Sequence, residues 1–218
     1  AVLWDMDGTL VDTEPYWMAA ETALVERFGG TWSHEQALGL VGLGLEDSAR
    51  IFQDAGVRMG VGAIVDHLTD DVMRRLETDG VPFRAGAREL LESLRAAGIP
   101  TGLVTMSLRR MAMTVVDLID FEAFDIVIAG DDATRPKPFP DPYLQACEAL
   151  GVTPEETVAI EDSPNGMRSA VAAGTAGPAA GARAGGRVLS PLVRLGHGCD
   201  GAGGRAGHGR CGHARAQP

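Results

Sequence analysis

The sequence predicts an α/β protein with a doubly wound parallel sheet and a small inserted helical domain. Short apolar runs end in polar residues or glycine, and helical patterns separate the last three of these runs, which is typical of parallel strands buried on both faces. A long segment with helical patterns alone follows the first run, which indicates an insertion. The four predicted strands are Ala1–Trp4, Ile99–Thr105, Asp125–Ala129 and Thr157–Ile160.

Three helical patterns alternate with the later strands. Gly86–Ala97 places leucines on one face of a predicted helix. Ser107 is suited to cap the next helix, which we expect to extend to about Leu118. Asp141 then precedes Pro142, and this pair predicts a capping acid followed by proline at the first helical position. The alternation of strands and helices favours a sheet covered on both sides.

The inserted segment is predicted to be helical throughout. In Gly62–Asp79 the apolar residues recur with a clear 3.6-residue period. An insertion of this size is too large for a βα loop and large enough for a small domain. We therefore assign a core domain to 1–12 and 83–174 and a helical cap domain to 13–82. The other predicted helices of the cap are Pro15–Phe28, Ser33–Leu40 and Leu45–Ala55.

The overall composition excludes several functional classes. The chain has 218 residues, 45% of them apolar and 22% charged, with a formal net charge of −11. This charge argues against a nucleic-acid surface, which is built from lysine and arginine. No apolar stretch reaches the roughly 18 residues of a membrane span, and no secretory leader is visible at the start. Three cysteines do not make a disulfide framework. We expect a cytoplasmic monomer.

Polar side chains follow each of the four predicted strands. In an open α/β sheet, ligands bind beyond the carboxyl ends of the strands, so these side chains are expected at one edge of the sheet. Crowded carboxylates repel one another unless a cation lies among them, and oxygen ligands suit Mg²⁺. A lysine and a hydroxyl nearby suit the oxygens of a phosphoryl group. Phosphoryl transfer is the reaction class that fits. The candidate residues are Asp5, Asp7, Thr105, Lys137, Glu161 and Asp162.

These segments, in this order, resemble the four motifs of the haloacid dehalogenase-like (HAD) hydrolase superfamily. The first motif reads Asp-Met-Asp-Gly-Thr at 5–9, and the third includes Lys-Pro-Phe-Pro-Asp-Pro-Tyr at 137–143. With a helical insertion after the first motif, the chain is similar to the branch that contains β-phosphoglucomutase and many small-molecule phosphatases. The resemblance covers 1–173. It implies a Rossmann-like core, a cap that closes over the site, and a small phosphorylated metabolite as substrate.

The resemblance also implies a role for each candidate residue. Asp5 would be the nucleophile that forms an aspartyl-phosphate. Asp7 would protonate the departing alcohol and then activate water. Thr105 and Lys137 would bind the transferring phosphoryl oxygens. The Mg²⁺ ligands would be Asp5, the backbone carbonyl of Asp7, and Asp162 with or without Glu161.

Two positions favour a phosphatase over a phosphomutase. Sugar phosphomutases of this branch usually carry a histidine just after the first motif and an arginine in the first cap loop, and this chain has Trp17 and Leu45 there. Neither side chain anchors a phosphate or relays a proton, so water is the expected acceptor. A sugar phosphomutase is the first alternative. An inactive or binding-only remnant with a damaged C-terminus is the second.

The C-terminal segment 175–218 differs in composition from the rest of the chain. Its six arginines and single acid give it a charge of +5, which leaves −16 for 1–174, and glycine, alanine and arginine make up 27 of its 44 residues. Family members are expected to continue here with a strand and a helix. We predict instead a segment that is disordered or translated out of frame from a GC-rich gene. A zinc site is the alternative, although the spacing matches no zinc finger: His197, Cys199, His208, Cys211 and His213.

Overall fold

A computed structural model of the chain shows one sheet of five parallel strands. The structure describes residues 1–176 and 179–180. The strands are β1 (Val2–Trp4), β2 (Thr101–Val104), β3 (Ile126–Ile128), β4 (Val158–Glu161) and β5 (Ala179–Ala180). Their order across the sheet is β3-β2-β1-β4-β5, and every neighbouring pair is parallel. The predicted fold class is confirmed, with β1 at the centre.

Eight α-helices accompany the strands in the described residues. Four of them follow β1 in succession, as the helical insertion predicts, and the other four alternate with the later strands. Among the described residues, no helix combines the length and the apolar character that crossing a bilayer requires. The helices are α1 (Glu14–Arg27), α2 (His34–Leu38), α3 (Leu45–Asp54), α4 (Val61–Asp79), α5 (Ala87–Ala96), α6 (Arg109–Asp117), α7 (Asp141–Leu150) and α8 (Pro164–Ala173).

Both faces of the sheet are buried, which explains the continuous apolar character of its strands. Successive residues of a strand point to opposite faces, and Leu3 and Trp4 of β1 accordingly belong to two different apolar clusters. Leu3 packs in the cluster that includes Tyr143 of α7 and Ala170 of α8. Trp4 packs in the cluster that includes Leu91 of α5 and also extends into the inserted helices. The insertion therefore shares a core with one face of the sheet.

The insertion leaves and rejoins the core along two adjacent segments. Asp12 donates its backbone N–H to the carbonyl of Pro82 at 2.7 Å, and Val11 forms an antiparallel bridge with Phe83. Within the insertion, the ring centroids of Trp32 and Phe52 are 4.9 Å apart. The 3.6-residue period predicted the long helix correctly, because α4 buries one face: Ile64, Val65, Leu68, Val72 and Leu76.

Two predicted helix starts are wrong in detail. Leu108 is the N-cap residue of α6, and the hydroxyl of Ser107 donates instead to the carboxylate of Asp7. Asp141 is the first residue of α7 and not its cap, and its carboxylate pairs with the guanidinium of Arg135 at 2.8 Å. In both cases a side chain outside the helix takes the group that capping would have used, from 100 residues away for Ser107 and from six residues away for Asp141.

The strand β5 corrects the expectation that no strand follows Gly174. It pairs in parallel with β4 opposite Ile160 and Glu161, and just before it the N–H of Ala176 donates to the carbonyl of Thr157 at 2.8 Å. Backbone groups make these bonds, so a pair of alanines forms a strand without the apolar run that predicts one. The other predictions for 175–218, which are disorder, frame and a zinc cluster, lie outside the described residues.

Candidate active site

The loop after β1 holds the first two candidate carboxylates at the carboxyl edge of the sheet. The N–H of Asp5 donates to the carbonyl of Ile160 in β4 at 3.0 Å. Gly8 has a φ of +84°, and a Cβ there would lie 2.5 Å from Oδ2 of Asp162. Glycine therefore serves two purposes at this position, because it adopts the left-handed conformation and lets the loop approach the segment after β4.

Lys137 is the centre of the buried part of the site. Its side chain is 3% exposed, and Nζ donates to Oδ1 of Asp5 at 2.8 Å, to Oε1 of Glu161 at 2.5 Å and to the carbonyl of Val104 at 2.8 Å. Three acceptors thus take the three protons of the ammonium. Lys137 is also the single lysine of the whole chain. A compact ammonium fits between three acceptors where a planar guanidinium does not.

The charges at this edge of the sheet do not cancel. Burial raises the pKa of Asp5, the neighbouring carboxylate of Glu161 raises it further, and Lys137 opposes both without restoring it to its usual value. Burial by itself lowers the pKa of Lys137, but Asp5, Tyr143 and Glu161 outweigh it and hold the pKa well above its usual value. The lysine is therefore an ammonium, and the raised pKa of Asp5 reflects burial first and the nearby carboxylate of Glu161 second.

Glu161 is fixed by partners on both of its carboxylate oxygens. Oε1 accepts from the Tyr143 hydroxyl at 2.8 Å as well as from Lys137, and Oε2 accepts from the Ser163 hydroxyl at 3.2 Å. The hydroxyl of Ser163 also caps α8 by accepting the N–H of Gly166 at 3.0 Å. A Cβ on Gly166 would lie 1.8 Å from Oε1 of Glu161. Space and hydrogen bonds together fix this carboxylate.

Asp7 has a different set of partners, and none of them is charged. Its Oδ1 accepts from Oγ1 of Thr13 at 2.5 Å and from Nε1 of Trp17 at 3.2 Å. Its Oδ2 accepts from Oγ of Ser107 at 2.6 Å. Thr13 and Trp17 lie at the entry to the inserted helices, and Ser107 follows β2. The carboxylate of Asp7 therefore joins the insertion to the core.

Thr105 lies directly after β2, and its side chain is buried against the same edge. Its Oγ1 accepts the N–H of Ser107 at 3.0 Å, and its own N–H donates to the carbonyl of Ile128 in β3 at 2.9 Å. A hydroxyl that accepts one hydrogen bond still has a proton to donate. Thr105 can therefore present a donor at the edge while it orders the backbone that carries Ser107.

Three of the candidate carboxylates lie close enough to bind one divalent cation. Oxygen atoms of Asp5, Glu161 and Asp162 all lie within 4.8 Å of one another, and the hydroxyl of Thr9 donates to Asp162 at 3.0 Å. These are three carboxylates against one ammonium, which agrees with the raised pKa of Asp5. The donor set is oxygen alone, so the residues fit Mg²⁺. The carboxylate of Asp7 is not in this group, because it faces Thr13, Trp17 and Ser107.

The six residues predicted from the sequence thus lie at one edge of the sheet. The side chains that contact them include four that were not predicted as members of the site. Tyr143 ends the quoted third motif and Ser107 follows Thr105 by two residues, so proximity in sequence was an available signal for both. For Trp17 the sequence indicates only a side chain that neither anchors a phosphate nor relays a proton. The four are Thr13, Trp17, Ser107 and Tyr143.

Comparison with known proteins identifies the class to which this fold and site belong. The family model described as haloacid dehalogenase-like hydrolase matches residues 2–179, which is nearly all of the described chain and includes every candidate residue. The chain therefore belongs to the haloacid dehalogenase-like hydrolase family, and the resemblance stated from its motifs is confirmed.

Individual relatives match most of the chain. The phosphorylated carbohydrates phosphatase of Thermotoga maritima is 30% identical over 176 residues, which cover 80% of this chain and 81% of the relative. Hexitol phosphatase A of Escherichia coli is 32% identical over 179 residues, with coverages of 79% and 78%. The crystal structure of CbbY from Rhodobacter sphaeroides in complex with phosphate has a TM-score of 0.72 at 28% identity, with coverages of 80% and 82%.

Proposed function

We propose that this chain is a phosphatase that hydrolyses a small phosphate monoester, such as a sugar phosphate, through an aspartyl-phosphate on Asp5. The observation that carries the proposal is the contact of Lys137 with Asp5 at the edge where Asp162 and Thr105 also lie. The names of two relatives, a phosphorylated carbohydrates phosphatase and a hexitol phosphatase, support the substrate class. The proposal includes a cytoplasmic monomer without nucleic-acid or membrane partners.

In the first step a carboxylate oxygen of Asp5 forms a bond to phosphorus. The bond from phosphorus to the ester oxygen breaks, and that oxygen takes a proton from the carboxyl group of Asp7, so that an alcohol leaves. Lys137 orients the nucleophile through its bond to Oδ1. The Lys137 ammonium and the Thr105 hydroxyl are placed to stabilise the negative charge of the transferring oxygens.

In the second step water replaces Asp5 on phosphorus. The carboxylate of Asp7 takes a proton from the water, and the oxygen of the water bonds to phosphorus. The bond from phosphorus to Asp5 breaks at the same time. Inorganic phosphate and the free carboxylate of Asp5 result, so Asp7 ends in the protonated form in which it began. The cap, which we assign to 13–82, excludes bulk water during the first step and pivots at its two adjacent connections.

A divalent cation completes the charge balance of this proposal. Asp5, the backbone carbonyl of Asp7, Asp162 and Glu161 are the proposed ligands, and bound Mg²⁺ would neutralise phosphoryl oxygens beside them. Glu161 has a second task in the same site, since it also accepts from Lys137 and Tyr143. The ligands therefore position the lysine as well as the metal.

Hydrolysis is favoured over transfer to a second sugar by the residues at two positions, Trp17 and Leu45. The indole N–H of Trp17 is directed at Asp7 itself, and an indole nitrogen donates but does not accept. Leu45 begins α3 and carries no charge for a second phosphate. Water is consequently the acceptor in this proposal.

The test is release of inorganic phosphate by the full chain. The panel contains sugar phosphates, hexitol phosphates and phosphoglycolate, each with Mg²⁺ and with EDTA, and Asp5→Asn is the matched variant, checked for folding by circular dichroism. We expect release from at least one ester by the wild type with Mg²⁺, and none above background from the variant. A wild type that releases no more phosphate than Asp5→Asn from every ester contradicts the proposal.

A further inference from the structure

Trp17 lies on the first helix after the site, ten residues beyond Asp7, and donates its indole N–H to that carboxylate. Building on the proposed function, we propose that Trp17 is a positioning residue that makes the two oxygens of Asp7 unequal. It holds Oδ1 as a hydrogen-bond acceptor, so that Oδ2 carries the proton that reaches the leaving group. The proposal rests on the directions of three hydrogen bonds.

Different parts of the molecule hold the two carboxylate oxygens of Asp7. Oδ1 contacts Thr13 at 2.5 Å and Trp17 at 3.2 Å, both from the start of the inserted helices. Oδ2 contacts Ser107 at 2.6 Å, from the core segment after β2. Oδ1 is therefore the oxygen bound to the insertion, and Oδ2 is the oxygen bound to the core beside Thr105.

Of the three groups that donate to Asp7, only one cannot also accept a hydrogen bond. A hydroxyl can rotate and accept a hydrogen bond, so Thr13 and Ser107 tolerate either a bare or a protonated oxygen. The indole N–H of Trp17 has no acceptor. A proton on Oδ1 would make that oxygen a poorer acceptor for the N–H of Trp17, whereas a proton on Oδ2 is accepted by Ser107 and leaves Oδ1 as the carbonyl oxygen, the better acceptor. Trp17 thus directs the proton to Oδ2.

The position of the proton on Asp7 affects only the departure of the alcohol in the first step of hydrolysis. An alkyl ester such as a sugar phosphate leaves as an alcohol and needs a proton in the first step. A p-nitrophenyl ester leaves as a stable anion and does not. General acid catalysis accelerates reactions of this kind, in which the leaving group needs a proton, by about 10²- to 10⁴-fold. A misplaced proton therefore slows hydrolysis of the alkyl ester and spares that of the aryl ester.

The experiment compares Trp17→Phe with the wild type on two substrates: the sugar phosphate that the wild type turns over fastest, and p-nitrophenyl phosphate. We expect kcat for the sugar phosphate to fall about 10- to 100-fold, with KM and the kcat for p-nitrophenyl phosphate changed less than about threefold. Trp17→His retains a ring N–H, and we expect it to restore part of the lost rate. Trp32→Phe is the matched control, because Trp32 donates to Glu21 and not to Asp7.

Each other outcome has a definite meaning. Equal losses with both esters in Trp17→Phe, or a loss as large in Trp32→Phe, would show that Trp17 acts through general packing and would overturn this inference alone. An unchanged kcat for the sugar phosphate also overturns it. If Trp17→Phe is unfolded by circular dichroism, Trp17→His carries the same comparison of esters, and equal losses there contradict the inference. A wild type without phosphatase activity overturns the proposed function together with the inference.

Discussion

The core and the inserted helices each bury a glutamate, and the two are compensated in different ways. Glu161 in the core is fully buried and accepts from an ammonium, a phenol and a hydroxyl. Glu21 in α1 is 7% exposed and accepts from the indole N–H of Trp32 at 3.3 Å. One carboxylate is matched by a charge, and the other receives a neutral donor.

The difference separates a functional charge from a structural one. Burial raises the pKa of Glu21 to about 7, with the bond from Trp32 opposing the rise and the charge of Glu14 adding to it. A group of this kind avoids the cost of a buried charge by binding a proton. In the core, burial acts in the same direction on Asp5, but Lys137 supplies an opposing charge. The core thus places an ammonium beside its buried carboxylates, where the proposed chemistry takes place, and the buried carboxylate of the insertion has only a neutral donor.

Replacing Lys137 by methionine gives the largest expected effect, since it leaves the buried carboxylates of Asp5 and Glu161 without their ammonium. We expect the free energy of unfolding to fall by about 3–5 kcal/mol and phosphatase activity to fall to background. Urea unfolding without Mg²⁺ measures the first. Arg58→Met removes one positive charge from an exposed position in the insertion and is the control. If Lys137→Met lowers the free energy of unfolding no more than Arg58→Met does, Lys137 does not compensate the charge of the buried carboxylates.

A methyl group on Gly166 tests the space around Glu161. Its Cβ would lie 1.8 Å from Oε1 of Glu161, whereas at Gly62 in α4 nothing lies within 4 Å of the corresponding position. We expect Gly166→Ala to destabilise the protein by about 1–3 kcal/mol through overpacking. Gly62→Ala, also within a helix, should stabilise it by about 0.5–1 kcal/mol. Thermal unfolding of both variants checks the contrast, and a Gly166→Ala variant as stable as Gly62→Ala contradicts it.

Glu21→Gln tests the insertion through an effect that appears only as pH rises. Because the pKa of Glu21 is about 7 in the folded chain and near 4.5 in a free carboxyl group, the folded protein binds this proton more tightly. The wild type loses that stabilisation as pH rises from about 4.5 through 7, while glutamine stays neutral. We expect Glu21→Gln to match the wild type near pH 4.5 and to exceed it by about 2–3 kcal/mol at pH 8.

Urea unfolding at several pH values measures this difference. Glu26→Gln makes the same chemical change on an exposed part of α1, and we expect it to leave the pH dependence of stability as it is. If the stability gap between Glu21→Gln and the wild type is the same at pH 5 and pH 8, the contrast between the two glutamates is lost.

The sequence predicts most of the core because its signals are local. Strands buried on both faces require continuous apolar runs, and each of the four predicted runs overlaps a strand, with β4 extending one residue beyond its run to Glu161. Five of the six candidate residues follow those strands and Glu161 ends β4, and parallel strands bring their carboxyl ends to one edge. Their convergence could therefore be predicted from topology, without any knowledge of distances.

The remaining features depend on contacts between distant segments. Ser107 looks like a helix cap in sequence, but 100 residues separate it from Asp7, its partner in the structure. Ala179–Ala180 forms a strand through backbone bonds to β4, which its composition does not reveal. The indole of Trp17 reaches Asp7 because α1 returns beside the loop after β1, and no periodicity encodes that approach.

The most direct test of the account is chemical identification of the phosphorylated residue. A single turnover with the best ester and Mg²⁺ is quenched in acid, the acyl phosphate is reduced with borohydride, and the modified residue is located by peptide mass spectrometry. The account predicts reduction of Asp5 to homoserine in the wild type and no modification in Asp5→Asn. Phosphate release with no modified residue, or with the modification at another position such as Asp7, would contradict it.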